Sequence, residues 1–231
     1  MVLFRNRVDA GRRLAARLGH VTGDVVVVGL PRGGVPVAAE VATALGAPLD
    51  VIVVRKLGVP SQPELAMGAV GENGVRVINE DLVAEARVTA DELRTLEARE
   101  QAEVVRRADR LRAGRARVPL AGRAVVAVDD GLATGSTARA ACEVVRAQGA
   151  GRVVLAVPVA PRDWTVRLAG VADEFIAVDT PERFLSVGQF YADFTQTTDA
   201  EVVDCLDGAA HRVRALRAVR DESPPPGPQC W

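Results

Sequence analysis

The sequence predicts an α/β fold, a doubly wound and mostly parallel sheet with flanking helices. Three observations carry this expectation. Short continuous runs of Val, Ile and Ala recur along the chain, at Val25 to Val28, Val51 to Val54, Ala124 to Val128, Val153 to Val157 and Phe175 to Val178. The runs do not alternate apolar with polar, so both faces of each strand are buried, which is the habit of parallel sheets. Ala-rich stretches of helical period separate them, the arrangement that builds βαβ units.

Taken in order, a helix is expected from about Asp9 to Leu18, before the first strand, and another over Val35 to Leu45 after it. The second strand, Val51 to Val54, leads into a stretch of different character. Leu57 to Glu64 contains Gly58, Pro60, Ser61 and Pro63, and then two apolar runs flank Gly71-Glu72-Asn73-Gly74. Asn-Gly between apolar runs is a hairpin signal, because both residues tolerate positive φ. A flexible loop and hairpin therefore leave the sheet directly after Lys56. Thr89 and Glu92, three apart, form a capping box opening a long charged helix to about Arg112, within an insert covering 81–117. Its Glu and Arg at spacings of three and four read as a solvated face with intrahelical pairs, or alternatively as an oligomer contact. Further helices are expected over Ser136 to Gln148, Arg162 to Leu168 and Asp199 to Arg220. One domain over 1–220 accommodates all of this, and the Pro-rich 221–231 is expected to be a disordered tail.

Composition narrows the classes of function. The chain has 231 residues, 48% hydrophobic and 26% charged, enough for a sizeable core and too apolar for a disordered protein. A formal net charge of -1 and 3% aromatic residues argue against a nucleic-acid partner. Cys142, Cys205 and Cys230 are widely spaced with no CxxC pair, so neither a zinc site nor a disulfide framework is expected. No apolar run reaches the roughly 18 to 20 residues of a membrane span, and the N-terminus lacks a secretory apolar region; a cytoplasmic location is expected. Of 29 basic residues, 28 are Arg and the only lysine is Lys56.

Chemistry concentrates after the third predicted strand, in Val125-Val126-Ala127-Val128-Asp129-Asp130-Gly131-Leu132-Ala133-Thr134-Gly135-Ser136-Thr137. In open α/β sheets ligands bind at the carboxyl ends of strands, where this acid pair emerges. The small residues Ala133 to Thr137 entering a helix let backbone N–H groups approach an anion, and the helix N-terminus favours negative charge by about 0.3 to 2 kcal/mol. The acids would repel a phosphate, so they suit sugar hydroxyls or a Mg²⁺ ion bridging sugar and phosphate oxygens. A ribose 5-phosphate satisfies both halves. GxxxxGK[ST] and GxGxxG are both absent, which excludes the common nucleotide-binding loops.

This stretch resembles the donor-binding signature of the type I phosphoribosyltransferases. The resemblance implies that Asp129 and Asp130 hold the ribose hydroxyls, with Mg²⁺ met indirectly, and that Ala133, Thr134, Gly135, Ser136 and Thr137 hold the 5-phosphate. Gly131 stands where the family carries a branched apolar residue, which is expected to loosen the carboxylates. Leu30-Pro31-Arg32-Gly33-Gly34 resembles the family's pyrophosphate loop, with an unusual peptide next to the first Gly, making Arg32 and Gly33 pyrophosphate ligands. Arg55 and Lys56, read as standing at the carboxyl end of the second strand, resemble the stretch leading into the family's catalytic loop. The segment Asp179 to Gly188, within a small C-terminal hood over 179–198, is similar to the base-binding hood of the 6-oxopurine enzymes, with Phe184 to stack on a base and Asp193 as a second contact. Ala133 replaces the acid that those enzymes use as a base, which disfavours hypoxanthine or guanine.

The implied activity is transfer of a 5-phosphoribosyl group from 5-phosphoribosyl-1-pyrophosphate to a nitrogen acceptor, a step of nucleotide metabolism, by a homodimer. Two other readings stay open: a regulatory protein that binds the same donor without turnover, and a sugar-phosphate hydrolase. No basic arm or helix-turn-helix supports the first. No nucleophile arrangement around His20, His211 or the cysteines supports the second.

Overall fold

The computed structural model describes residues 2–221. The core is a five-stranded parallel sheet of β1 (Val25–Gly29), β2 (Leu49–Val51), β6 (Ala124–Val128), β7 (Arg152–Val159) and β8 (Glu174–Asp179), in the order β2-β1-β6-β7-β8. All five residues of β1 are buried, as its unalternating Val run requires. On one face lie α1 (Arg7–Ala15) and α2 (Gly34–Leu45), which contribute Leu14, Val37, Val41 and Ala42 to the core. On the other lie α5 (Ser136–Ala147) and the short α6 (Trp164–Arg167). The helix expected over Arg162 to Leu168 is thus a single turn. From β1 the chain moves outward to β2, then returns across β1 to β6 and continues to β7 and β8, so the switch point lies between β1 and β6.

The second predicted strand is not one strand. Leu49–Val51 pairs with β1, and Ile52 N–H still donates to the Gly29 carbonyl at 3.1 Å, but Val54 begins β3 (Val54–Val59). With β4 (Gln62–Gly71) and β5 (Arg76–Ile78), β3 forms a separate antiparallel sheet. The apolar run is continuous because both halves are buried: Ile52 packs in the core of the parallel sheet, whereas Val51, Val53, Leu57 and Val59 enter a second core with Met67 and Val70. Arg55 and Lys56 therefore lie within β3 and not at the end of the second core strand, and the stretch expected as a loop after Lys56 is mostly paired strand. The predicted hairpin is present. A tight turn over Glu72–Gly74 joins β4 to β5, with Asn73 at φ 60° and Gly74 at φ 70°.

The insert forms α3 (Glu80–Glu85) and α4 (Ala90–Arg112). Thr89 accepts from Glu92 N–H at 3.3 Å while the Glu92 carboxylate accepts from Thr89 N–H at 2.8 Å, the predicted capping box. α4 is solvated on one side only, where Asp91 pairs with Arg94 and Glu103 with Arg106. Its other side buries Glu100, Val104, Ala108, Leu111 and Arg112 against β3, β4 and α7 (Asp199–Asp221). The hood over 179–198 packs Phe190 and Tyr191 on Phe4 of the N-terminal segment. The expected tail, with Cys230, lies outside the described residues apart from Asp221, which ends α7.

Candidate functional site

The Pro31 to Gly34 loop and the loop after Asp130 both leave the sheet at the β1/β6 switch point, where ligand clefts form in open α/β sheets. Leu30 N–H donates to the Val128 carbonyl at 2.8 Å, tying the Pro31-Arg32-Gly33-Gly34 loop to the strand that carries the acid pair. The Pro31-Arg32 peptide is cis, beside the first glycine of the loop.

The two loops touch through the glycines. A Cβ at Gly33 would lie 2.0 Å from Asp130 Oδ2, and one at Gly34 would lie 2.5 Å from the Val128 carbonyl oxygen and 2.8 Å from Asp129 Cα. These are contacts that real Cβ atoms do not make, so a side chain at either position would force a neighbour to shift, a carboxylate at 33 and backbone at 34. Gly33→Ala should push the Asp130 carboxylate aside, costing activity, while Gly34→Ala collides with backbone and should cost stability. For Gly34→Ala we expect the larger loss of the two, about 1 to 3 kcal/mol as for an overpacked core, read by thermal unfolding. Equal stability of wild type and Gly34→Ala would contradict this packing.

The acids are held differently. Asp129 Oδ1 accepts from the Asp130 backbone N–H at 2.9 Å. Asp130 Oδ2 accepts from Arg7 Nε at 2.9 Å, and its backbone carbonyl accepts from the Tyr191 hydroxyl at 2.6 Å. Arg7 in turn donates through Nη1 to the Thr195 carbonyl at 2.7 Å and lies 4.1 Å over the Phe194 ring, with its side chain 12% exposed. Burial, and then the neighbouring Asp130 charge, raise the Asp129 carboxyl well above the usual carboxylate range. Burial raises Asp130 too, against the opposing pull of the Arg7 guanidinium. Two acids crowded in this way are poised to receive a ligand that brings hydroxyl donors or positive charge.

Neither Arg7 nor Tyr191 was expected at this site. Arg7 lies 123 residues from Asp130, and nothing marks it among 28 arginines. Tyr191, the only tyrosine, stands in a local aromatic enrichment with Phe184, Phe190 and Phe194, which marks a packed or stacking cluster but not a bond to the acid loop.

The stretch Ala133 to Thr137 forms a loop that enters the N-terminus of α5. Gly135 caps α5 with φ 81°, a left-handed conformation suited to glycine, and Thr134 Oγ1 and Ser136 Oγ lie 3.2 Å apart. Ala133, Thr134 and Thr137 are exposed and Ser136 is half-buried in this loop. Gly131 does not leave a void: a Cβ there would come within 2.4 Å of Val187 Cγ1 from the hood. The Val187 methyls occupy the room that a branched residue at 131 would fill, so the expected loosening is replaced by a contact between hood and acid loop.

The remaining predicted residues are more dispersed. Arg32 pairs with Asp199 of α7 at 3.6 Å. Arg55 pairs with Glu100 of α4 at 2.8 Å. Lys56 is exposed and makes no ion pair among the described residues. Phe184 is half-buried and tilted against Phe190 with centroids 5.3 Å apart, so one part of its ring packs and another faces out. Asp193 is exposed and accepts from Thr195 N–H at 3.0 Å and Thr195 Oγ1 at 2.6 Å, bonds that hold its carboxyl below the usual range.

A doubly wound parallel sheet with a glycine-lined loop and an acid pair meeting at its switch point defines a type I phosphoribosyltransferase fold. The chain belongs to the phosphoribosyl transferase domain family, whose sequence model matches residues 4–175. It is 56% identical over 227 residues to a Mycobacterium tuberculosis H37Rv protein named "Putative phosphoribosyl transferase Rv0571c", covering 98% of this chain and 51% of that one. A protein of strain CDC 1551, named in the same terms, matches with the same figures. The chain thus spans about half the length of the curated relatives it matches. Among solved structures, TT1426 from Thermus thermophilus is 44% identical with a TM-score of 0.81, covering 89% of this chain and 98% of that one.

Proposed function

We propose that this domain transfers the 5-phosphoribosyl group of 5-phosphoribosyl-1-pyrophosphate to a nitrogen nucleophile, releasing pyrophosphate. The observation that carries the reading is the contact of Gly33 and Gly34 with Asp130 and Asp129, which sets a glycine-lined anion loop directly against a sugar-binding acid pair. In this reading the acceptor nitrogen attacks C1 of the ribose, the C1–O bond breaks with its electron pair leaving on pyrophosphate, and the acceptor proton passes to solvent. Asp129 and Asp130 hold the ribose hydroxyls and offset the positive charge that develops on the ring. Ala133 to Thr137 anchor the 5-phosphate. Arg32, Gly33, Arg55 and Lys56 receive the pyrophosphate, and Phe184 with Asp193 meets the acceptor. Catalysis rests on positioning and fixed charge, since no nucleophile is required of the protein.

Mg²⁺ fits this donor set. No cluster of three or more His, Cys, Asp or Glu suited to a metal occurs among the described residues, and Asp130 Oδ2 is taken by Arg7, which leaves the pair a few carboxylate oxygens to offer. That suits a cation carried largely by substrate oxygens and water, as Mg²⁺ prefers. When bound with the donor it would neutralise pyrophosphate charge. Hydrolysis through a cysteine is disfavoured, because burial pushes the Cys142 thiol up to about 12 and raises that of Cys205 as well.

The test is pyrophosphate release with Mg²⁺, the donor, and a panel of purines, pyrimidines and amines. Release that depends on one acceptor supports the proposal. Calorimetric donor binding without release on any acceptor would identify a sensor, and absence of both would overturn the reading. Lys56→Arg offers a sharper check. The side chain is exposed, so stability should stay within about 0.5 kcal/mol, while a compact ammonium replaced by a planar fork should lower kcat/KM at least about tenfold. A fully active Lys56→Arg enzyme would remove Lys56 from the pyrophosphate site.

A further inference from the structure

The insert does more than buttress the second sheet. Arg107, in the interior of α4, is half-buried and donates through Nη2 to the carbonyl of Pro31 at 3.3 Å, reaching the loop that carries Arg32 and Gly33. The charges of three further guanidiniums, Arg32, Arg55 and Arg110, reach it. Arg32 and Arg110 share one carboxylate, that of Asp199, at 3.6 and 2.9 Å. Arg55 uses Glu100 at 2.8 Å, a carboxylate that Arg99 also claims at 2.8 Å. Glu103, the next acid on this part of α4, is engaged by Arg106. Arg32, Arg55 and Arg110 are thus paired by two carboxylates, with the Glu103 charge also reaching Arg55 and Arg110, and Arg107 itself has no ion pair among the described residues.

Such crowding is unfavourable without an anion. Burial, and then the charges of Arg32, Arg55 and Arg110, depress the Arg107 guanidinium from its ordinary value, with only Asp199 opposing. A lone carbonyl acceptor at 3.3 Å uses one of five N–H donors and does not offset a cationic environment. If Arg107 served only to clamp the loop, an uncharged donor would do the same work at lower electrostatic cost.

We propose that Arg107 of the helical insert is a further pyrophosphate-binding residue, forming with Arg32, Arg55 and Arg110 a site for a multiply charged diphosphate group. The inference rests on the reading of the Pro31 to Gly34 loop as the pyrophosphate side of the donor site. It gives the insert a role: α4 is locked at its end by Arg112, inside the body of the protein, and so presents Arg107 from a rigid support. A fork held rigidly can grip phosphate oxygens bidentately.

The experiment uses the full chain and two probes, inorganic pyrophosphate and ribose 5-phosphate, with calorimetry and thermal unfolding on wild type, Arg107→Gln and Arg107→Lys. Pyrophosphate affinity should fall at least about tenfold in Arg107→Gln, the scale of a lost charge-assisted contact, and recover in part in Arg107→Lys. Ribose 5-phosphate affinity should be unchanged in both, because the cup and the acids do not touch Arg107. The melting temperature of ligand-free Arg107→Gln should hold or rise as crowding is relieved. Undiminished pyrophosphate binding in Arg107→Gln, with ribose 5-phosphate bound normally, would overturn this inference and leave the proposed function standing. Arg107-dependent pyrophosphate binding by a wild type that ignores ribose 5-phosphate would support the arginine site while overturning the sugar-phosphate reading. Parallel loss of both ligands with a lowered melting temperature would make Arg107 merely structural and overturn the inference.

Discussion

Asp130→Asn should abolish turnover, by at least about 10²-fold, the magnitude of removing one preorganised charge or donor from an active site, while the fold survives. The substitution is isosteric, so the Gly33 contact and the Tyr191 hydrogen bond to the backbone carbonyl are kept. What is lost is the carboxylate charge that Arg7 holds, the charge to which the proposed function assigns the ribose hydroxyls. The neighbouring position separates charge from fold still more cleanly. Asp129 has a raised carboxyl in the folded state, chiefly from burial, so the native protein binds a proton there more tightly than the unfolded chain does. The sign follows: stability from this group is greatest below the ordinary carboxylate value of 3.8 and declines as pH rises from there through the raised folded value. At neutral pH, Asp129→Asn should therefore raise the melting temperature of ligand-free, metal-free protein, by about 2 to 4 °C if about 1 kcal/mol is recovered, and still eliminate turnover. An active Asp130→Asn enzyme would sink the proposed function. A destabilised Asp129→Asn protein would show that the acid pair serves the fold.

Arg112→Ala should be the most destabilising single change in the insert, costing about 3 to 5 kcal/mol, the scale for breaking a buried pair from one side. The Arg112 side chain is 8% exposed, between Asp50 at 6% and Glu72 at 7%. Its Nε donates to Asp50 Oδ1 at 2.8 Å, and Nη2 donates to Glu72 Oε1 and to the Val51 carbonyl, each at 3.0 Å. Nη1 reaches the other Glu72 oxygen. Asp50 also accepts from Val118 N–H at 2.9 Å. One guanidinium thus joins the end of α4 to β2 and to the β4–β5 turn. Removing it leaves two buried carboxylates with Arg117 Nε, 3.9 Å from Glu72, as the nearest remaining cation. Urea unfolding should show a lower midpoint at unchanged slope, and a variant as stable as wild type would mean that water reaches the cluster. Since this lock also positions Arg107 and Glu100, the same variant should weaken pyrophosphate binding before it unfolds.

Much of the site was legible in the residues because its parts are local. A buried strand that ends in two acids and runs through Thr134, Gly135 and Ser136 into a helix uses backbone conformations and donor groups encoded within a few neighbours. The same holds for the paired glycines of the Pro31 to Gly34 loop, the Thr89–Glu92 capping box and the Asn73-Gly74 turn. Boundaries were less legible. Val51 to Val54 reads as one strand because a side chain buried between sheet and helix looks, in sequence, like one buried between two sheets. Gly131 read as a weakness for a similar reason, since the methyls that fill its space belong to Val187, far along the chain.

By itself the sequence determined the parallel sheet, the hairpin, the small-residue loop into α5 and the acid pair at the strand end, because each follows from short-range periodicity and the conformations open to a few adjacent residues. Of the 28 arginines, Arg32 and Arg55 stand in motifs that the sequence shows, and tertiary structure alone brought Arg7, Arg107 and Arg112 to their partners. Arg7 meets Asp130 across 123 residues, Arg107 meets Pro31 across 76, and Arg112 meets Asp50 across 62. A guanidinium acquires its role from the carboxylates and carbonyls that folding brings within about 3 Å, the range over which charge-assisted hydrogen bonds act, and no spacing along the chain encodes that distance.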